Sequence, residues 1–268
     1  MVKHLKRNHM YDSKFSLSAI FLLFFMLWAP LGQYNFLIEN WMKLGTYAVP
    51  LILFLFFSFT QERTDSILAD MKLMPILLLV AYLIHQFEEH WIDLFGNHYA
   101  FYNYFNALLL GVLGSPDSNV MPASAAALFV INTSLVWLVG IIAIWRSPNH
   151  LFPVLAMNGI VLVNAISHIL SGIVNLSYNP GLLTAISIFI PLAIAFYRKV
   201  LQISPIAKPQ IIASLVWAIL AHVILIAGLI VSNWFRLVPE SVYFATLVAW
   251  SVLPVFLFVT PIQQNTKT

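Results

Sequence analysis

A chain of 268 residues that is 61% hydrophobic and only 9% charged, with a mean hydropathy of +0.88, cannot cover itself with a polar surface, which excludes an ordinary soluble domain. It has no cysteine, which excludes disulfides, thiolate metal ligands and a cysteine nucleophile, so any metal must be held by His, carboxylate or amide. The net charge of +3 comes from basic residues at the ends of apolar runs, not from a basic patch with interleaved aromatics, and nucleic acid is excluded as a partner.

Apolar windows of the length that crosses a bilayer, about 17–25 residues, occur at 15–32, 45–60, 72–94, 122–145, 151–176, 180–201, 210–232 and 241–261. The expected fold is therefore an all-α bundle of about eight transmembrane helices, with the lipid bilayer as its surroundings. The first run, Phe15 to Ala29, ends in Pro30-Leu31-Gly32 without a small-residue cleavage pattern and reads as a retained span. Residues 1–14 and 263–268 then form the tails of a single membrane domain over 15–262. Lys and Arg concentrate on the cytoplasmic side of membrane proteins. With the N-terminus inside, that side holds Lys3, Lys6, Arg7, Lys14, Arg63, Lys72, Arg146, Arg198, Lys199, Lys208 and Lys267, leaving Lys43 and Arg236 outside. An odd number of spans would scramble this partition, so both termini are expected in the cytoplasm, and a bacterial inner membrane is the expected setting.

The third window carries His85-Gln86-Phe87-Glu88-Glu89-His90 in an otherwise apolar helix, and charge placed there is costly enough to signal function. At 100° per residue, Glu88 and Glu89 lie about 60° and 40° to either side of His85, so the three share a face, whereas His90 is about 140° away and is a poorer ligand. Asp93 returns to the same stripe as a supporting or entrance residue. The connection over 97–121 begins Tyr99-Ala-Phe-Tyr-Asn-Tyr-Phe-Asn106 and is too short to span; an interfacial or re-entrant segment capping the charged end of the third helix is expected. His98 and Asp117 belong to this outer loop, and His4, His9 and His150 to solvated inner regions. Trp28, Trp91, Trp137, Trp145 and Trp234 read as interface anchors.

Depth along each helix follows from the rise of about 1.5 Å per residue. Counted from Lys72, His85 lies about 20 Å into the membrane and Glu89 about 6 Å further out. Asn164 and His168 in the fifth window reach the same two levels, His222 in the seventh arrives at a similar one, and Asn132 in the fourth comes within a few ångströms. Asn164 and His168 are also spaced i, i+4, which lets both side chains grip one partner. Ser171, Gly172 and Asn175 extend this narrow polar face, and Tyr178-Asn-Pro-Gly181 supplies the chemistry of a chain reversal.

His85-Gln86-Phe87-Glu88-Glu89, Asn164-x-x-x-His168 and Tyr178-Asn-Pro-Gly-Leu-Leu-Thr184 together resemble the HXXEE family of integral membrane proteins. The resemblance covers the third to sixth windows and implies a candidate metal or catalytic site without implying an activity; His222 enters from depth alone. The metal reading makes His85, Glu88, Glu89 and His168, with His222, a nitrogen and carboxylate site for a divalent ion such as zinc, iron or manganese. One of Glu88 and Glu89 ligates while the other moves protons, and Asn164 and Asn132 orient ligands or polarise substrate. The spacing matches neither His-Glu-x-x-His nor its inverse. On this reading the protein is a metal-dependent membrane enzyme acting on a lipid or other apolar substrate. Two alternatives use the same residues: a proton relay in a proton-coupled transporter, and buried pairs that serve helix packing alone. No Gly-rich phosphate loop, nucleophile elbow or dinucleotide fingerprint is present.

Overall fold

The computed structural model describes residues 35–60, 73–114, 121–147, 150–204 and 207–258. The first predicted span, both tails, Asp117, Trp28 and the basic residues at 3, 6, 7, 14, 63, 72 and 267 lie outside them. Among the described residues the chain is all helical, with one isolated bridge between Ile92 and His98. Helix α1 is Asn35–Thr60, ten residues longer at its start than the apolar window that predicts it. Helix α2, Met74–Gln86, continues into a π turn, Phe87–Trp91. Then follow α3 (Ala100–Leu113), α4 (Ala125–Arg146), α5 (Phe152–Asn175), α6 (Leu182–Gln202), α7 (Lys208–Trp234) and α8 (Glu240–Val255).

Five of these, α1, α4, α5, α6 and α7, are long and apolar enough to cross a membrane. Helix α2 falls short because its C-terminal turns are the polar motif itself. Proline opens α2, α5 and α7 at positions where a missing N–H costs no helical hydrogen bond. Ser124 caps α4, accepting from the Ala127 N–H at 2.9 Å while its hydroxyl donates to Glu240 at 2.7 Å. That bond ties the start of α4 to the start of α8.

The bundle is inverted relative to a soluble protein on its outer side. Ile212, Val216, Ile219 and Val223 of α7, Leu170, Ile173 and Val174 of α5, and Leu51, Phe54 and Phe57 of α1 are all exposed. Apolar surface of this extent is what a bilayer covers, and the chain is an integral membrane protein by its long apolar helices. Helix α4 is the inner one, with 83% of its best apolar window buried against 22% for α1. Close approaches set the packing: a Cβ added at Gly159 of α5 meets the Ser214 carbonyl oxygen of α7 at 2.8 Å.

Candidate metal centre

The motif sits where α2 changes its winding. In the π turn the Ile92 N–H bonds back to the Phe87 carbonyl, five residues earlier, at 2.9 Å. Each residue then turns less than 100° from the last, and Glu88, Glu89 and His90 are all buried although they are consecutive. They point to three different neighbours. Glu88 faces the start of α6, Glu89 faces His168 of α5, and the His90 ring packs on Trp41 of α1 and Phe101 of α3, with centroids 4.9 and 4.8 Å apart.

Glu89 is the centre of convergence. Its Oε2 lies 3.4 Å from His85 Nε2 and 3.0 Å from His90 Nε2, and its Oε1 lies 3.2 Å from His168 Nε2. His85, Glu89 and His168 offer ligand atoms that all lie within 4.8 Å of one another, and the three residues are buried.

Hydrogen bonds on the far side of two rings assign the tautomers. The Thr184 hydroxyl donates to Glu88 Oε2 at 2.6 Å, so at 2.7 Å from His85 it is the acceptor and His85 Nδ1 carries the proton. Asn179 donates its amide N–H to the His168 carbonyl at 3.0 Å, which aims its Oδ1 at His168 Nδ1 and makes that nitrogen the donor, at 2.7 Å. In the neutral rings both Nε2 atoms are therefore unprotonated acceptors packed close to a carboxylate that is itself rich in lone pairs. His85 Nε2 makes no aligned hydrogen bond despite its closeness to Glu89. A cation among these atoms would relieve this crowding of acceptors.

The spacing suits a metal ion. Two ligand atoms each about 2.0–2.1 Å from an ion at the tetrahedral angle stand about 3.3 Å apart, close to the 3.4 Å of Glu89 Oε2 from His85 and the 3.2 Å of the other oxygen, Oε1, from His168. Two imidazoles and one carboxylate form the donor set of catalytic zinc and non-haem iron sites, which leave coordination positions open. Ligating histidines ordinarily donate their second N–H to an oxygen, as both do here.

Glu88, expected as ligand or base, is committed elsewhere. Its Oε1 accepts from the Tyr178 hydroxyl at 2.9 Å and the Leu183 N–H at 3.0 Å, and its Oε2 from the Thr184 N–H at 2.7 Å and hydroxyl at 2.6 Å. It thereby caps the N-terminus of α6, a helix with no side-chain cap of its own, where a negative charge also suits the helix dipole. Burial and the nearby carboxylates raise the Tyr178 phenol well above its ordinary range, so it remains a donor. Gly181, at φ +95°, lies against both rings: a Cβ there would meet His85 Cε1 at 2.7 Å and His168 Cε1 at 2.8 Å. Sequence reasoning gave Tyr178-Asn-Pro-Gly181 only a turning role; its tyrosine, asparagine and glycine each hold part of the centre.

Asn132, Asn164 and His222 do not join the ligand cluster. They line, with Glu89, His90 and His168, one cavity of about 230 Å³ whose other walls include Phe101, Tyr104, Phe105 and Leu108 of α3. Asn132 is occupied on both ends, accepting from Gln86 at 3.0 Å and donating to the Leu128 carbonyl at 3.0 Å. Trp137, expected as an interface anchor, donates to the same Gln86 at 2.9 Å. Asp93 organises the loop after the π turn, accepting from the N–H groups of Phe95 and Asn97 at 2.9 and 2.8 Å. The 97–121 segment supplies α3, which covers the cavity and is tied to α5 by a Tyr104–Ser171 hydrogen bond.

Residues 76–196 match a family model described as a protein of unknown function with an HXXEE motif. The matched stretch is the HXXEE region expected from the sequence. It contains every residue of the centre, from the motif on α2 through His168 to the Glu88-capped start of α6, whereas His222 lies beyond it. Comparison with curated proteins and with solved structures found no match.

Proposed function

We propose that the HXXEE region forms a metal-dependent membrane enzyme, in which His85, Glu89 and His168 hold one divalent ion, zinc, iron or manganese, beside a cavity for an apolar substrate. The observation that carries this reading is the clustering of His85 Nε2, His168 Nε2 and the Glu89 carboxylate in one buried site, each ring fixed by a hydrogen bond behind it. Such an ion supplies Lewis acidity and lowers the pKa of a water beside it. Glu88 and Thr184 hold the His85 ring, Asn179 holds that of His168, and Gly181 lets the turn close over both. His90, at 3.0 Å from Glu89 Oε2 and on the cavity wall, is placed to pass a proton between that carboxylate and the cavity. The largely apolar walls contributed by α3, α4 and α7 select a lipid or similarly apolar substrate. With eight spans and both termini cytoplasmic, the centre lies in the outer half of the membrane.

Protons on the imidazoles would also answer the lone-pair conflict, as the proton-relay reading requires. Yet His85 already donates through Nδ1, and its Nε2 is not aligned to donate to Glu89. One imidazolium, on His168, would neutralise Glu89 but still leave His85 Nε2 without a partner. The test is turnover. Protein reconstituted in vesicles with a lipid extract should alter the lipid profile seen by mass spectrometry, and chelator or Glu89→Gln should abolish the change. Metal-loaded wild type that leaves every lipid untouched, or turnover that persists in Glu89→Gln, contradicts the enzyme reading.

A further inference from the structure

The cavity beside the centre has a polar spot that nothing in the protein satisfies. His222 donates its Nδ1–H to the Ala218 carbonyl at 2.8 Å, one turn back on α7, which leaves Nε2 as an acceptor without a partner among the described residues. Asn164 of α5 lines the same cavity and makes no hydrogen bond among those residues either. Its Oδ1 is sealed from the cavity and unpaired, so the amide N–H side is the one left open. One cavity thus presents an acceptor on α7 and a donor on α5, two helices that pack closely at Gly159.

A hydroxyl group answers both, donating its O–H to His222 Nε2 and accepting the Asn164 N–H through its oxygen. A carbonyl or ether oxygen gives His222 nothing, and an ammonium gives Asn164 nothing. A carboxylate or phosphate would enter a cavity that contains Glu89 and is lined by no Lys or Arg. Beyond the centre itself, the other polar wall residues, Tyr104, Asn132, Ser167, Ser171 and Asn179, already have hydrogen-bond partners in the protein, and the rest of the wall is apolar. A volume of about 230 Å³ falls below the roughly 300–1,000 Å³ of sites that enclose a drug-sized ligand. It takes one chain, not a whole two-chain lipid.

We infer that this cavity binds a single-chain alcohol, an apolar chain whose hydroxyl is held between the His222 imidazole and the Asn164 amide. The inference names the substrate class for the enzyme reading above and rests on that reading for its role, but the binding itself needs no metal. The experiment is calorimetric titration of the full chain in nanodiscs, corrected by empty discs for partitioning, with 1-decanol, decyl methyl ether and decylamine as probes. Wild type should bind 1-decanol at least about tenfold more tightly than the ether, the order expected for a polar pair left unsatisfied by the wrong ligand. Asn164→Leu and His222→Phe should each cut that preference to near unity while still binding the ether, which shows that the cavity and fold survive. Equal binding of alcohol and ether by wild type, or tighter binding of decylamine than of 1-decanol, overturns the inference. The same samples are analysed for metal. Protein without metal that keeps the alcohol preference supports this inference and fails the metal reading alone; metal-loaded protein without the preference does the reverse.

Discussion

Thr184 decides which nitrogen of His85 is left as an acceptor, although it does not line the cavity. Its hydroxyl proton goes to Glu88 and its oxygen lone pair to His85 Nδ1, so the Glu88 carboxylate, through one hydroxyl, sets the tautomer of His85. Groups behind a ligand typically contribute about 10–100-fold to metal affinity. Thr184→Val, which keeps the shape but loses the hydroxyl, should therefore weaken zinc binding by about that factor in chelator competition, and Thr184→Ser should restore it. An unchanged affinity in Thr184→Val would mean the ring is held by packing alone. Glu88→Gln turns an amide N–H toward backbone donors at the start of α6, and is expected to weaken metal binding without abolishing it, unlike Glu89→Gln. Gly181→Ala collides with both imidazoles from a left-handed position that alanine adopts poorly. It should lower the melting temperature and the metal content together, whereas a variant with normal metal content would show that the turn can shift freely.

At the scale of elements, the π turn explains both what was legible in the motif and what was not. Counting at 100° per residue puts His85, Glu88 and Glu89 on one face, which groups His85 with Glu89 but also makes Glu88 a ligand and sets His90 aside. The wider turn separates Glu88 from Glu89 and brings His90 to 3.0 Å from the Glu89 carboxylate. Nothing in the residue types Phe87–Trp91 announces a change of winding. Depth counting fared differently, because Asn132, Asn164, His168 and His222 lie on regular stretches where the rise per residue holds, and all four reach one cavity. The trans-acting contacts of Tyr178, Asn179 and Thr184 depend on how α6 docks against α2, and spacing along one chain carries no trace of that. The α5–α7 approach gives a further test. Gly159→Ala forces a methyl group to 2.8 Å from a backbone carbonyl that cannot rotate away. A cost of about 1–3 kcal/mol is expected, read as a lower melting temperature in detergent; an unchanged one would show that the two helices separate without penalty.

For the whole molecule, composition alone carried the membrane reading, since surface chemistry is a property of sums and needs no register. The helices of the apolar windows from the fourth to the seventh stand close to where hydropathy placed them, while α1 begins ten residues before its window because Asn35 to Leu44 mixes polar and apolar residues on a helix that hydropathy averages away. The sidedness argument is open to direct test because the chain has no cysteine of its own. A membrane-impermeant maleimide should label His98→Cys in intact cells and Arg198→Cys only in inverted vesicles; the opposite pattern would reverse the orientation. The central claim is one ion held by His85, Glu89 and His168, and elemental analysis of purified protein tests it most directly. Wild type should carry close to one equivalent of zinc, iron or manganese after loading, and Glu89→Gln and the His85→Ala/His168→Ala double variant should carry almost none while remaining helical. Folded wild type that takes up no metal, or variants that retain a full equivalent, would contradict it.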